Sequence, residues 1–525
     1  MKLTTSERCG PKFVRFVLKL SAARISRFQL RPSAYSKIWS FLLAVVVLLP
    51  TGLAVADITL PKFFSDHMVL QQESLFPVWG TAEANQALVI RFNGTEVEAV
   101  AADDGSFLVS IQTPTAGGPY NLEVEDQNQT NKVVLTDVMV GDVWLCAGQT
   151  NMGLPVSEAL NAETEIAQSK KHTRIRLFSL ETTAATQRGE DVAALLPWAN
   201  CSPESVKDFS AVAYFFGREL SKSLDKTPIG LIDASVDGST CEAWCSEESL
   251  NAATSLAPLL SHWKENDDPE ASNRPGSLFN GMIAPLSVYP IKGIVWYQGE
   301  TNVGRGKQYG DLLKCLIGDW RQHFSGPELP FYFVQIAPFR YSNLSSEALP
   351  ELWDAQLRTL KTVQGTAMVP TMDVGVADQM FPKNKQVIGQ RLAKLALART
   401  YQKAATEPLA EKTAPVTGPI YEAIAYREGK IRITFREVGN GLKVIGDLPA
   451  GSFTICGPDE VFHPAVATII GPASVELTSD RVETPKAVRY CWDDSAQPSL
   501  ANSADLPAFP FRTDSHELKS EETAF

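Results

Sequence analysis

The sequence has little of what marks the specialised protein classes. Cysteine is scarce, with eight in 525 residues, at positions 9, 146, 201, 241, 245, 315, 456 and 491. That density is far below a disulfide scaffold and predicts buried thiols with at most one bridge. Histidine is rarer still, at six, and no His cluster accompanies Cys241 and Cys245, so no structural zinc, other metal or cofactor is expected. Repeats and low-complexity tracts are missing. With 44% hydrophobic and 21% charged residues, the composition excludes a disordered, collagen-like or multi-span membrane chain. Positive charge is also lacking over most of the length. Residues 1–56 hold nine basic residues and one acid, leaving 39 basic against 59 acidic residues, a net of −20. Such a surface repels phosphate backbones and anionic lipid, which argues against nucleic acid as a partner.

What is present begins with an address. The basic stretch at the front leads into an apolar run over 38–49, then Pro50 and Gly52, then Ala54-Val55-Ala56. This is the pattern of a secretory signal with a small-residue cleavage site. The run is shorter than the ~20 residues of a spanning helix. Residues 57–525 are therefore expected as a mature chain that is secreted or otherwise extracytoplasmic (periplasm, cell surface or lysosome-like compartment). Membrane contact is expected only if the signal stays uncleaved.

At roughly 100–200 residues per domain, the length suggests three or four domains. Three rhythms follow the signal (1–56). Over 57–137, short strands at 88–92, 95–100 and 106–111 alternate with Asn93-Gly94 and Asp103-Asp104-Gly105 turns, which predicts an N-terminal β-sandwich. Over 138–405, strands alternate with amphipathic helices at 209–224, 308–324 and 384–401, and 368–374 reads as a strand. That alternation predicts an α/β domain with a doubly wound parallel sheet, binding ligands at the carboxyl ends of its strands. Over 406–514 the β rhythm returns, with Ile431, Ile433 and Phe435 alternating, which predicts a second β-sandwich before a polar tail at 515–525.

Four peptides of the α/β stretch sit where strands give way to loops. They are Gly148-Gln149-Thr150-Asn151-Met152, Asp237-Gly238-Ser239-Thr240-Cys241-Glu242-Ala243-Trp244, Trp296-Tyr297-Gln298-Gly299-Glu300-Thr301-Asn302 and Asp373 through Lys385. Glycines that allow close backbone approach stand beside amides and carboxylates, a composition suited to a polar ligand such as a sugar.

Together with Asp66-His67-Met68-Val69-Leu70-Gln71, Phe279-Asn280-Gly281-Met282 and Phe509-Pro510-Phe511-Arg512, these peptides resemble the sialate O-acetylesterase family of SGNH-type hydrolases. The resemblance covers essentially the whole mature chain. It implies an SGNH-hydrolase-like sheet flanked by two β-sandwiches, and removal of acetyl esters from sialic acid or other acetylated glycans. The family's chemistry is a Ser nucleophile with a His base oriented by an Asp. By resemblance the nucleophile position is Thr150, the Asp position Gln379 and the His position Phe381, so all three differ. Thr150 keeps a hydroxyl but carries a methyl that restricts its rotamer. Phe381 accepts no proton at any pH, and Gln379 cannot stabilise an imidazolium. Gly238 and Gln298 fall where the resemblance implies oxyanion or ester contacts, and Asn151, Glu242 and Trp244 retain family peptides expected to bind substrate. Asp237 stands where a glycine is usual and opposes negative charge developing in the transition state.

The reading that follows is a secreted sialate O-acetylesterase-like protein, catalytically impaired and glycan-binding. One alternative is an active ester hydrolase using Thr150 with a non-family base, for which Glu300 is the candidate. Another is a glycoside hydrolase working through two carboxylates, for which only Asp237 and Glu300 offer themselves.

Overall fold

The computed structural model describes residues 57–265, 272–324, 326, 328–402, 414–445 and 452–521. The signal expected over 1–56 lies outside these residues. No helix among the described residues is long and apolar enough to cross a membrane.

One strand organises the molecule. Lys132–Gly148 runs for 17 residues, and its burial changes character midway. Up to Met139, exposed and half-buried positions alternate with buried ones, as in a sheet wet on one face; from Val140 to Gly148 every residue is buried, as in a sheet covered on both. The first half pairs antiparallel with Gly117–Asp126 in the N-terminal β unit, and the second half joins the central sheet. The division expected at 137/138 thus falls inside a continuous strand. Around it the central sheet runs Thr366–Val369, Phe331–Val334, Gly293–Tyr297, Lys132–Gly148, Ile229–Ser235, Ile175–Leu180, Ala194–Asn200. Only the last of these strands is antiparallel to its neighbour.

Register explains how both faces are covered. Gly293 opposes Trp144 and Trp296 opposes Ala147, so Trp144 and Trp296 point to opposite faces. Trp144 meets Phe216 edge-on at 5.1 Å, on helix Ala211–Ser223. That helix packs against Lys385–Arg399, and a side chain at Gly389 would strike Phe215. Trp296 meets Trp320 at 5.6 Å, on helix Gly306–Phe324, which packs against Ala348–Thr362. The doubly wound expectation holds. The strand expected over 368–374 stops at Val369, and Val374 N–H returns to the Thr371 carbonyl in a turn.

Among its described residues the C-terminal segment forms two antiparallel four-stranded sheets and a two-stranded ribbon. Ile431, Ile433 and Phe435 alternate inward as expected. Phe511 lies between the sheets, stacked on Tyr421 at 4.7 Å and meeting Phe435 and Tyr490 at 5.8 Å. All seven cysteines among the described residues are free thiols.

Candidate functional site

The four peptides converge because three parallel strands end in register. Gly148 is level with both Ser235 and Tyr297, so the loops beginning at Gln149, Val236 and Gln298 leave the same edge side by side. Gly148 sits at φ +148°, and a Cβ there would lie 2.1 Å from the Tyr297 carbonyl oxygen, so this crossing admits only glycine. Gln149 then reaches sideways, its Oε1 accepting from Gly299 N–H at 3.3 Å and Thr301 N–H at 3.4 Å.

Thr150 opens a short helical turn, Thr150–Gly153, with its side chain half-buried. Its Oγ1 accepts a hydrogen bond from Gly238 N–H at 3.3 Å. Among the described residues no imidazole or carboxylate is hydrogen-bonded to that hydroxyl. The histidines are occupied elsewhere. His67 Nδ1 lies 2.7 Å from Asp137, His323 beside Asp319, His516 beside Asp514 and His172 against Tyr214. His463 belongs to the strand Phe462–Pro464 and His262 to the helix Ala257–Glu265. Gln379 closes a tight turn onto the Val376 carbonyl at 3.0 Å, and Phe381 is half-buried against the core.

Asn151, expected to face substrate, is instead a fully buried hub. Its Nδ2 donates to Glu300 Oε1 and, at 3.1 Å, to the Met380 carbonyl, while its Oδ1 accepts from Lys385 Nζ. One amide thereby ties the first peptide to the third and fourth, with its hydrogen-bonding capacity spent. Lys385 is completely buried and lies 5.2 Å from the centre of the Tyr297 ring. Burial pulls its ammonium down to about 7, with Glu300 opposing the shift. Burial likewise raises the Glu300 carboxyl, against the Asn151 hydrogen bond. Glu300 is thus buried with Oε1 on Asn151 and Oε2 without a hydrogen-bond partner among the described residues, and neither oxygen is hydrogen-bonded to Thr150.

Three other expected ligand contacts also prove internal. Trp244 is wholly buried, its Nε1 donating to Ser239 Oγ at 3.0 Å and its ring meeting Trp296 and Trp320. Gln298, also wholly buried, donates to the Ser239 carbonyl at 3.1 Å and to Asn302 Oδ1 at 2.7 Å. Glu242 receives Asn302 Nδ2 at 3.0 Å and Arg305 at 2.9 Å. These groups clamp the second peptide to the third. In the second peptide Asp237 and Gly238 stay at the surface, the latter at φ +65° with its carbonyl held by Asn273 Nδ2 at 3.1 Å.

Two functional features escaped the sequence reading. Lys385 falls at the start of the helix expected over 384–401, and only the fold brings it under Asn151. Asp233, two residues before the end of its strand, is buried with Ser235 and Ser179 hydroxyls on its oxygens at 2.7 and 3.2 Å. Burial raises its carboxyl to about 6, the field of Asp237 adding to the effect.

Comparison with known proteins gives this geometry a family. Residues 140–398 match the model of the carbohydrate esterases, sialic acid-specific acetylesterase. The sialate O-acetylesterases of Pongo abelii and Homo sapiens are each 30% identical, over 500 and 498 residues, 86% of this chain and 91% of theirs. The chain belongs to the sialate O-acetylesterase family. The crystal structure of a carbohydrate acetylesterase from Xanthomonas citri superposes with a TM-score of 0.77 at 33% identity, covering 87% of this chain and all of that one. The sialate O-acetylesterase relationship extends across both flanking β units, as the resemblance implied, and accounts for the SGNH-type central sheet.

Proposed function

We propose that this family member is exported and binds acetylated glycans at the Thr150–Gly238 edge of the sheet, with its hydrolytic chemistry severely impaired. The observation that carries this reading is the environment of Thr150 Oγ1, whose hydrogen-bond partner is an N–H donor and not a base. A hydroxyl attacks an ester efficiently only when a neighbour takes its proton. Phe381 and Gln379, at the positions the family uses for that purpose, have no such capacity. Loss of a triad member leaves on the order of 10³–10⁴-fold over water from the remaining site. Gly238 is exposed and its N–H donates to Thr150 Oγ1 at 3.3 Å, a bond long enough for an ester carbonyl to share or displace, which supports retained binding. Export rests on the basic-apolar-small pattern of residues 1–56.

The test is acetate release from an activated acetyl ester and from O-acetylated sugars, by the parent and by the triple variant Thr150→Ser, Gln379→Asp, Phe381→His. A silent parent with a gain of activity in the triple variant is the expected result. Enzyme-like turnover by the parent that Thr150→Ala abolishes would overturn the reading.

A further inference from the structure

The binding reading above leaves the sugar open, and the charges at the loop edge narrow it. Asp237 is exposed and immediately precedes Gly238, the residue whose N–H meets Thr150 Oγ1. Its carboxylate leans over the nucleophile turn, with Oδ1 3.9 Å from where a Cβ on Gly153 would stand. Among the described residues no ion pair answers it. Most cations of the same four peptides and their immediate neighbours are committed elsewhere. Arg305 is on Glu242, Arg391 is on Asp373, and Lys385 is buried beneath Asn151. Arg340, exposed on the loop after Phe331–Val334, faces Asp493 and Asp494. Lys383 and Asp378 of the fourth peptide are both exposed, one charge of each sign. Behind Asp237 lies a second carboxyl, Asp233, close enough to feel its field.

We infer that Asp237 makes this a site for neutral O-acetylated sugars and selects against sugars that carry a carboxylate. A ligand whose acetyl carbonyl sits at Gly238 N–H brings its ring close to Asp237. A ring carboxylate there meets uncompensated like charge, whereas a neutral ring meets a hydrogen-bond acceptor for its hydroxyls. Two unit charges about 7 Å apart, in a medium between protein surface and water, repel enough to weaken binding roughly threefold to fiftyfold. The inference rests on the proposed binding function and specifies its ligand.

The test uses the full chain and calorimetric titration with three probes: an O-acetylated N-acetylneuraminic acid, its methyl ester, and an O-acetylated neutral pyranose. The acid and its methyl ester differ in charge but scarcely in shape. The expected result is tighter binding of the methyl ester than of the acid, by at least threefold at low salt. The gap should narrow as salt is raised and nearly close in Asp237→Asn, and the neutral pyranose should bind. Equal or tighter binding of the acid by the unaltered protein would overturn the inference while leaving glycan binding intact. Failure of all three probes would overturn the binding function and this inference together. The comparison of acid with ester in the unaltered protein stands whether or not the variant folds.

Discussion

Replacing Asp233 by Asn tests whether a buried carboxyl at the edge of the site weakens the fold at neutral pH. Asp233 is held in a dry site with two serine hydroxyls on its oxygens and, among the described residues, no ion pair, and burial lifts it from 3.8 to about 6. Below both values the carboxyl is protonated in folded and unfolded chains alike and contributes no pH dependence. As pH rises from about 4 to 6 the unfolded chain releases its proton while the folded chain retains it, so stability falls. Above about 6 both are ionised and the loss is complete. The gap corresponds to roughly 3 kcal/mol, at 1.36 kcal/mol per tenfold change in proton affinity. Asn keeps an acceptor for Ser235 and turns a donor toward Ser179 Oγ, so about 1 kcal/mol lost to imperfect hydrogen bonding is a fair offset. Asp233→Asn should therefore be more stable than the parent by ~2 kcal/mol at pH 8, with the advantage vanishing near about pH 4.5 and reversing by up to ~1 kcal/mol in more acid solution. Urea unfolding followed by tryptophan fluorescence at intervals from pH 4 to 8 gives the difference curve. A difference that stays level across that range, or one that grows toward acid, would refute the account of Asp233.

Lys385 predicts the opposite slope. Its ammonium titrates near 7 in the folded chain, so parent stability should rise between about pH 7 and 10, and Lys385→Met should remove that rise in the same assay. Asn151→Asp places a carboxylate against Glu300 and deprives the Met380 carbonyl of its donor. It should lower stability by ~3 kcal/mol or more in thermal melts, with Asn151→Ala costing less because it leaves unmet partners without adding charge.

Much of the architecture was legible from pattern. Helices Ala211–Ser223 and Gly306–Phe324 are long enough for a 3.6-residue period to outweigh local accident, and Ser210 caps the first by accepting from Ala213 N–H. Short apolar runs misled where length could not arbitrate. Met372 and Val374 continue the apolar spacing of Thr366–Val369, yet the chain turns there because Asp373 is drawn to Arg391 on the next helix. The change of burial halfway along Lys132–Gly148 marks where a one-sided sheet becomes a two-sided one. That depends on which neighbours arrive, and no single strand carries the information.

The linear chain by itself determined the family, the order of the folding units and the presence of four polar peptides at strand ends, because these follow from composition, periodicity and local motif. Tertiary structure alone decided which side chains of those peptides face outward. Gln298, Glu242, Trp244 and Asn151 read as ligand contacts in sequence, but they are buried in hydrogen bonds within and between the loops. A buried polar group must find partners within reach once water is gone. In this fold the partners are supplied by residues up to 234 positions away, as when Lys385 closes on Asn151. Asp237 remains in water for the complementary reason. It stands exposed past the end of its strand, and no ion pair among the described residues answers its charge.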